Sequence, residues 1–294
     1  MFENGVRYHF GGHDHNHLRS IVTSPDSLSF AQNIITSSNS YKFYTPKIPS
    51  IDESYNLPAF GFLRETPIVQ ELYTVGYYIV TVEGPRVTVV HYASDNGCGG
   101  TLGASIDCDL TATPELEFVE REVFGYSLNG EEFLVAQGDS YAVVADEFHG
   151  TVAQVLDGVN ESTATIYDGR PTTKDVNTGW TPARDYRRAP LASDVLTLWG
   201  LGDLGAEQTD TYVLSMSYKG WPKHLWFGSF GIASQDEAGR WVNTVNKNAG
   251  GTKRFVVGPW KPGYDLGTYG VDPRSKTAWA VVNHEGEFAV ARGI

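Results

Sequence analysis

The sequence predicts a mainly β protein built from two parts. Short runs rich in β-branched and aromatic residues recur along the chain, and turn-forming Asn, Asp, Gly and Pro separate them. No long amphipathic helical period lies between these runs, so a β-sandwich or jelly-roll is favoured over a sheet that alternates with helices. The chain has 294 residues, a length at which a single core usually stops growing. Two domains are therefore expected, with one large all-β domain as the alternative.

The first part is predicted to hold one strand that leads into a histidine cluster and two strands that form a hairpin. Residues 5–10 have strand composition, and a double glycine ends this run. Residues 44–74 contain four prolines and few periodic apolar positions, which predicts a long irregular excursion. Residues 76–82 and 86–92 are rich in β-branched and aromatic side chains, and the turn residues between them predict a hairpin.

A glycine-rich stretch at residues 95–103 marks the predicted boundary, which gives a first part of residues 1–94 and a second of residues 95–294. In the second part, apolar alternation on both sides of Asn129 and Gly130 predicts another hairpin. A polar, proline-containing stretch near residues 170–195 predicts a linker or lid that would subdivide this part. The further strands are predicted at 140–145, 151–156, 163–167, 195–200, 211–218, 224–233, 240–245, 253–258, 277–283 and 287–292.

Composition excludes several classes of protein. Hydrophobic residues make up 41% and aromatic residues 13% of the chain, which is typical of a globular protein. The 22 basic residues against 35 acidic ones give a formal net charge of −13, which argues against a nucleic-acid partner. No apolar run approaches the roughly 18 residues of a spanning helix. We therefore expect neither a nucleic-acid partner nor a membrane span.

The compartment depends on two features. The first residues lack the basic and apolar regions of a signal peptide, so the chain as written is expected to remain unexported. Cys98 and Cys108 lie ten positions apart in a glycine-rich stretch. They are either two free thiols or a disulfide, and a disulfide would indicate that a parent protein is exported, to the periplasm or outside the cell.

The most informative stretch is the cluster His13, Asp14, His15, Asn16 and His17, directly after the first predicted strand. Neutral imidazoles bind divalent transition metals, and an extended segment would place the three histidines on one side. The cluster therefore predicts a metal site on which two or three of these histidines converge. The alternative is a polar loop whose histidines are solvated or capped.

A strand followed by Phe-Gly-Gly-His-Asp-His at residues 10–15 resembles the last metal-binding motif, Gly-His-x-His, of the calcineurin-like metallophosphoesterases. The strands at 76–92 are also similar to those that close that domain. The resemblance covers roughly the first third of the chain. It implies a β-sandwich flanked by helices, with two divalent ions such as Zn, Mn or Fe. It further implies that His13 binds one ion and His15 the other, with Asp14 or His17 as an additional ligand. The enzyme would then be a phosphatase-type hydrolase of phosphate esters.

The resemblance also implies that most of the metal centre lies elsewhere. The family's Asp-x-His, Gly-Asp-x-x-Asp and Gly-Asn-His-Asp/Glu motifs all precede Gly-His-x-His, whereas only ten residues precede Gly11. The chain is therefore expected to be a C-terminal fragment of a longer enzyme, in which an all-β sandwich follows the closing strands, and to be inactive alone. Near the C-terminus, residues 283–285 match Asn-His-Glu in inverted chain order. Circular permutation or a polar hairpin turn explains this match.

A non-enzymatic binding module is the alternative function. All seven tryptophans lie within residues 180–279, and exposed tryptophan faces stack on sugar rings. Such a module would recognise a glycan or a protein partner, with Trp221 and Trp226 as the exposed pair. Trp241, Trp260 and Trp279 lie in or beside predicted strands and are expected to pack in the core. The sequence contains neither a Gly-x-Ser-x-Gly elbow nor a P-loop.

Overall fold

The computed structural model describes residues 1–37, 65–95, 115–136, 142–144, 151–157, 173–183, 191–202, 207–220 and 228–294. These residues form nineteen β-strands, and helical structure within them is limited to short 3-10 turns such as Phe2–Asn4 and Thr244–Lys247. The predicted mainly β fold class is confirmed.

The chain divides into two compact units that alternate along the sequence. The first unit comprises Met1–Thr81, Thr88–Phe124 and Ser162–Thr173, and the second comprises Val82–Val87, Gly125–Glu161 and Lys174–Ile294. The predicted division placed one boundary after residue 94, beside a range outside the described residues. The stretch near residues 170–195 was predicted to subdivide the second part. Most of it lies either outside the described residues or inside the continuous strand Thr173–Thr181.

The first unit contains a four-stranded sheet. Its strands are β1 (Tyr8–Gly11), β2 (His17–Thr23), β3 (Phe30–Ile35) and β4 (Glu65–Glu71). Their order is β1-β3-β2-β4, with β1 parallel to β3 and the other neighbours antiparallel. β4 lies within the stretch that was predicted to be irregular. Its Pro67 sits beside a register shift on an edge strand, and such positions are where a sheet tolerates proline.

A three-stranded sheet has the order β5-β6-β7, formed by β5 (Thr74–Glu83), β6 (Arg86–Asp95) and β7 (Val119–Ser127). The predicted hairpin between β5 and β6 is confirmed, with Gly84 in the left-handed region at a φ of 56°. Apolar side chains from both sheets pack together in the first unit. They are Ile34, Val89 and Phe124, with Tyr8 and Tyr78 against them.

The second unit contains twelve described strands. They are β8 (Glu132–Ala136), β9 (Ala142–Val144), β10 (Val152–Asp157), β11 (Thr173–Thr181), β12 (Val195–Trp199), β13 (Thr211–Ser217), β14 (Phe230–Gln235), β15 (Trp241–Asn243), β16 (Arg254–Val257), β17 (Thr268–Asp272), β18 (Thr277–Val282) and β19 (Gly286–Arg292). One six-stranded sheet has the order β16-β17-β18-β13-β10-β9, and the other has the order β15-β14-β19-β12-β11-β8.

The two six-stranded sheets pack face to face as a β-sandwich. Alternate residues of each strand enter one core, as expected when successive side chains point to opposite faces. Leu198 and Phe288 come from one sheet, and Tyr212, Leu214 and Ala280 come from the other. All five are at most 1% exposed. The core of the second unit therefore lies between its sheets.

The hairpin predicted around Asn129 and Gly130 is wrong, because the flanking strands β7 and β8 belong to different sheets. The backbone at this turn pairs with β11 instead. The Trp180 amide donates to the Asn129 carbonyl at 3.1 Å, and the Glu131 amide donates to the Thr178 carbonyl at 3.1 Å. A Cβ on Gly130 would collide with that same carbonyl, so glycine is required there.

Candidate functional site

The histidine loop, residues 12–16, connects the end of β1 to the start of β2. β3 lies between these two strands, and Gly11 and Leu18 are both register partners of Ile35 at its end. The loop therefore crosses over the end of β3 and spans two inter-strand spacings, about 10 Å. His13, Asp14 and His15 lie at this edge of the sheet.

The backbone of the loop turns twice within its short length. His13 and His15 have φ values of 88° and 55°, both in the left-handed region that favours glycine. The segment is therefore not extended, and the three histidines do not share one side as the alternation predicted. His13 and Asp14 are exposed, His15 is half-buried and His17 is buried. Five residues reach about 17 Å when extended, which is more than the roughly 10 Å that the loop spans, so its backbone must fold back on itself.

Hydrogen bonds fix both ends of the loop. At the first end, the amide and the hydroxyl of Thr36 both donate to the Gly11 carbonyl at 3.0 Å. At the second end, the Asn16 side-chain amide donates to the Asp14 carbonyl at 3.1 Å. Gln70 on β4 donates to the Asn16 side-chain oxygen at 3.4 Å. His13 and His15 are thus carried by a backbone that the sheet holds in place.

His17 has a different role from His13 and His15. Its Nδ1 is hydrogen-bonded to the Tyr78 hydroxyl, and its Nε2 lies 3.2 Å from Glu122 Oε2. The ring also stacks on His91, with centroids 4.0 Å apart. Both ring nitrogens are engaged inside the first unit, so in this arrangement His17 has no nitrogen left to join a metal held by His13.

Arg19 and Glu122 form the centre of this buried network. Arg19 Nε donates to Glu122 Oε1 at 2.9 Å, and its Nη1 donates to Gln32 Oε1 at 2.7 Å. The guanidinium lies 4.4 Å from the ring centre of Phe124. Burial opposes the charge of Glu122, but the Arg19 guanidinium and the His17 hydrogen bond outweigh it and hold the pKa of that carboxyl at about 2.

His91 extends the network toward the end of β3. Its Nε2 lies 2.8 Å from the Ser37 hydroxyl, and its Nδ1 lies 3.9 Å from Glu71 Oε2. Burial lowers the pKa of His91 to about 3, with a smaller contribution from His17. Burial also raises the pKa of Glu71, although Arg121 opposes this.

His91 lies between Ser37 and Glu71, which is the arrangement of side chains in a Ser-His-acid triad. The separation of 3.9 Å is too long for the hydrogen bond that would orient the imidazole, and a pKa of about 3 makes His91 a weak base. We therefore assign these three residues no catalytic role.

Sequence reasoning identified His17 but missed its partners. The signal was present in the alternation of the strands. His91 shares the buried face of β6 with Val89 and Ala93, and Glu122 shares a face of β7 with Phe124. A polar residue in phase with buried apolar ones indicates a buried polar partner elsewhere.

Residues 283–285 connect β18 to β19, which belong to different sheets, so this segment is not a hairpin turn. The Glu285 carboxylate accepts hydrogen bonds from the amides of Leu201 and Gly202. His284 Nε2 lies 3.0 Å from the Thr244 carbonyl oxygen. These side chains stabilise the crossover between the sheets.

The three tryptophans that were predicted to pack in the core differ in burial. Trp279 is 1% exposed, whereas Trp241 and Trp260 are half-buried. Trp221, Trp226, Cys98 and Cys108 lie outside the described residues.

Within the described ranges, no three or more His, Cys, Asp or Glu side chains form a group that could hold a metal ion. No helix in that same part of the chain is long and apolar enough to span a membrane. Comparisons with protein-family models, curated proteins and solved structures found no match to this chain.

Proposed function

We propose that the histidine loop supplies two imidazole ligands, His13 and His15, to a divalent-metal site of a metal-dependent phosphoesterase. The observation that carries the proposal is the conformation of this loop. Two non-glycine residues adopt left-handed backbone where the sheet holds both ends of the segment. Such conformations cost about 1 kcal/mol or more each, and they concentrate at functional sites.

The donor set of the loop fits a transition metal. Imidazole nitrogens suit Zn and Fe, and carboxylate oxygens such as those of the exposed Asp14, which lies between the two histidines in the sequence, suit Mn. His13 and His15 would bind the metal as a pair of imidazole donors. A pair of divalent ions, when bound, activates water and neutralises the charge that develops on a phosphate ester. Such a centre needs more donors than these two histidines provide.

Asn16 and His17 are proposed to position the ligands rather than to bind metal. Asn16 fixes the carbonyl of Asp14, and His17 anchors the start of β2 in the core through Tyr78 and Glu122. Outer partners of this kind orient metal ligands and contribute to metal affinity.

The test compares metal binding by the wild-type chain and three variants. His13→Ala and His15→Ala should lower the affinity for Zn²⁺ or Mn²⁺ at least tenfold in calorimetric titrations. His9→Ala is the matched control, because His9 is an exposed imidazole on β1 that lies outside the loop. Equal affinities in all four proteins would contradict the ligand assignment.

Hydrolysis is tested separately with p-nitrophenyl phosphate and the same metals. Metal-dependent turnover that falls in both loop variants but not in His9→Ala would support the proposed reaction. Turnover that survives in both variants would contradict it. Metal binding without turnover would support the ligand assignment and leave hydrolysis dependent on groups beyond these residues.

A further inference from the structure

The second unit carries a groove on the outer face of its sheet β16-β17-β18-β13-β10-β9. The strands alternate, so Tyr212 and Leu214 of β13 face the core between the sheets, whereas Val213 faces outward. On β18, Ala280 faces that core and Trp279 faces outward. This outer face is therefore apolar at its centre, although it lies on the side of the sheet away from the main core.

A loop after β16 covers part of this outer face. The Tyr264 ring stacks on Trp279 with centroids 5.1 Å apart and planes 3° from parallel. Trp279 Nε1 donates to the Gly258 carbonyl at 2.8 Å, and Trp260 packs against the same outward cluster. The loop is thus attached to the sheet, and it forms one wall of the groove.

The groove has a volume of about 370 Å³, within the usual range of small-molecule sites. Pro259 and Trp260 line it on the loop side. Its other side chains are mostly polar and come from the strands and from the turn after β17. They include Gln154, Ser215, Asp272, Ser275 and Thr277.

The polar groups are arranged before any ligand arrives. The Arg274 amide donates to Asp272 Oδ1 at 3.0 Å, and the Ser275 hydroxyl donates to Asp272 Oδ2 at 2.7 Å. The carboxylate is therefore held in place as an acceptor. In the loop, Trp260 Nε1 is shielded from solvent and has no hydrogen-bond partner among the described residues.

These side chains suit a neutral ligand that bears many hydroxyl groups. The indole of Trp260 offers an apolar face on which the C–H face of a sugar ring can stack. Amide, hydroxyl and carboxylate groups across the groove can bond to sugar hydroxyls. The residues that line this described groove include no Lys or Arg and do include the Asp272 carboxylate, whose negative charge disfavours a phosphate or sulfate group. We propose that this groove is a binding site for a neutral saccharide.

This inference is independent of the histidine loop, because its residues all belong to the second unit. The probes are four neutral disaccharides, maltose, cellobiose, lactose and N,N′-diacetylchitobiose, studied by saturation-transfer NMR and by calorimetric titration of the whole chain. At least one should bind, with sugar ring protons receiving saturation from aromatic side chains. The metal titrations described above are expected to be unaffected by any groove variant.

Three variants make the assignment specific. Trp260→Ala should weaken the binding of that disaccharide at least tenfold, and Gln154→Ala should weaken it several-fold. Trp241→Ala is the control, since Trp241 is a half-buried tryptophan on the other sheet, and it should retain wild-type affinity. Gln154 is exposed, so its variant tests the groove even if Trp260→Ala fails to fold. Failure of all four sugars to bind, or equal affinity in wild type, Trp260→Ala and Gln154→Ala, would overturn the proposal.

Discussion

Arg19 and Glu122 form an ion pair inside the first unit although 103 positions separate them in the sequence. Each side chain is 2% exposed, and the pair is completed by hydrogen bonds to Gln32 and His17. A buried pair of this kind stabilises a fold only when all its partners are present, because a lone buried charge is costly. The start of β2, which follows the histidine loop, is therefore tied to β7.

Glu122→Gln should destabilise the first unit by about 3 kcal/mol, because it removes the negative partner from a buried ion pair with the Arg19 guanidinium. Glu120→Gln, an exposed position on the same strand, is the control and should change stability by less than about 0.5 kcal/mol. Urea unfolding followed by far-UV circular dichroism measures the loss. All seven tryptophans lie in residues 180–279, so tryptophan fluorescence reports the second unit separately. Equal stability of the two variants would show that the pair contributes little.

The stability of the first unit should fall as the pH is lowered from 7, and His91 is one cause. The unfolded histidine takes up a proton near pH 6.5, whereas the folded one resists protonation until about pH 3. The folded state therefore binds fewer protons in this range and loses stability as the pH falls. Glu71, whose pKa is raised by burial, acts in the opposite direction.

A comparison of wild type with His91→Gln isolates the contribution of His91. Urea unfolding at pH values from 7 to 4 should show a weaker pH dependence in the variant, because the substituted side chain does not titrate. His9→Gln is the control, since His9 is exposed on β1. The same pH dependence in His91→Gln and wild type would contradict the assignment.

Glu285→Gln should destabilise the second unit by about 2 kcal/mol. The Glu285 carboxylate accepts from two backbone amides, Leu201 and Gly202, and hydrogen bonds to a charged acceptor contribute more than neutral ones. Glu287→Gln, an exposed position on β19, should leave stability unchanged within about 0.5 kcal/mol. Urea unfolding followed by tryptophan fluorescence checks both values. Indistinguishable curves for Glu285→Gln and wild type would show that the crossover does not depend on this carboxylate.

The local sequence pattern correctly predicted those parts of the fold that residues close together in the sequence determine. The β5–β6 hairpin follows from two β-branched runs and the turn at Gly84. β4 was missed because Pro67 normally interrupts a strand, and only its place at an edge beside a register shift makes it tolerable. The Asn129–Gly130 hairpin was predicted wrongly because the backbones of Asn129 and Glu131 pair with Trp180 and Thr178, about fifty positions away.

In the candidate site, too, features set by neighbouring residues were predictable and features set by residues distant in the sequence were not. His13 and His15 are adjacent to a glycine pair in the sequence, so a short motif is sufficient to find them. The left-handed backbone at both positions was not predicted, because it depends on the order of the strands, which places β3 between β1 and β2. The contacts of His17 were also missed, because Tyr78, His91 and Glu122 come from strands distant in the sequence.

The conformation of the histidine loop leads to a prediction that separates stability from metal binding. At a φ of 88°, the Cβ of His13 causes a steric penalty that glycine avoids, whereas alanine retains it. His13→Gly should therefore be more stable than His13→Ala by about 1 kcal/mol in thermal or urea unfolding. Both variants should lose the same affinity for Zn²⁺, because both remove the imidazole.

The matched pair for this comparison is His9→Gly and His9→Ala on β1, where the backbone has ordinary strand geometry. There the order should reverse, because glycine in a strand is less favourable than alanine. A His13→Gly variant that is less stable than His13→Ala would contradict the left-handed conformation. If His13→Gly is more stable than His13→Ala and yet does not bind the metal, the strained backbone at this position is retained for the imidazole of His13 and not for stability.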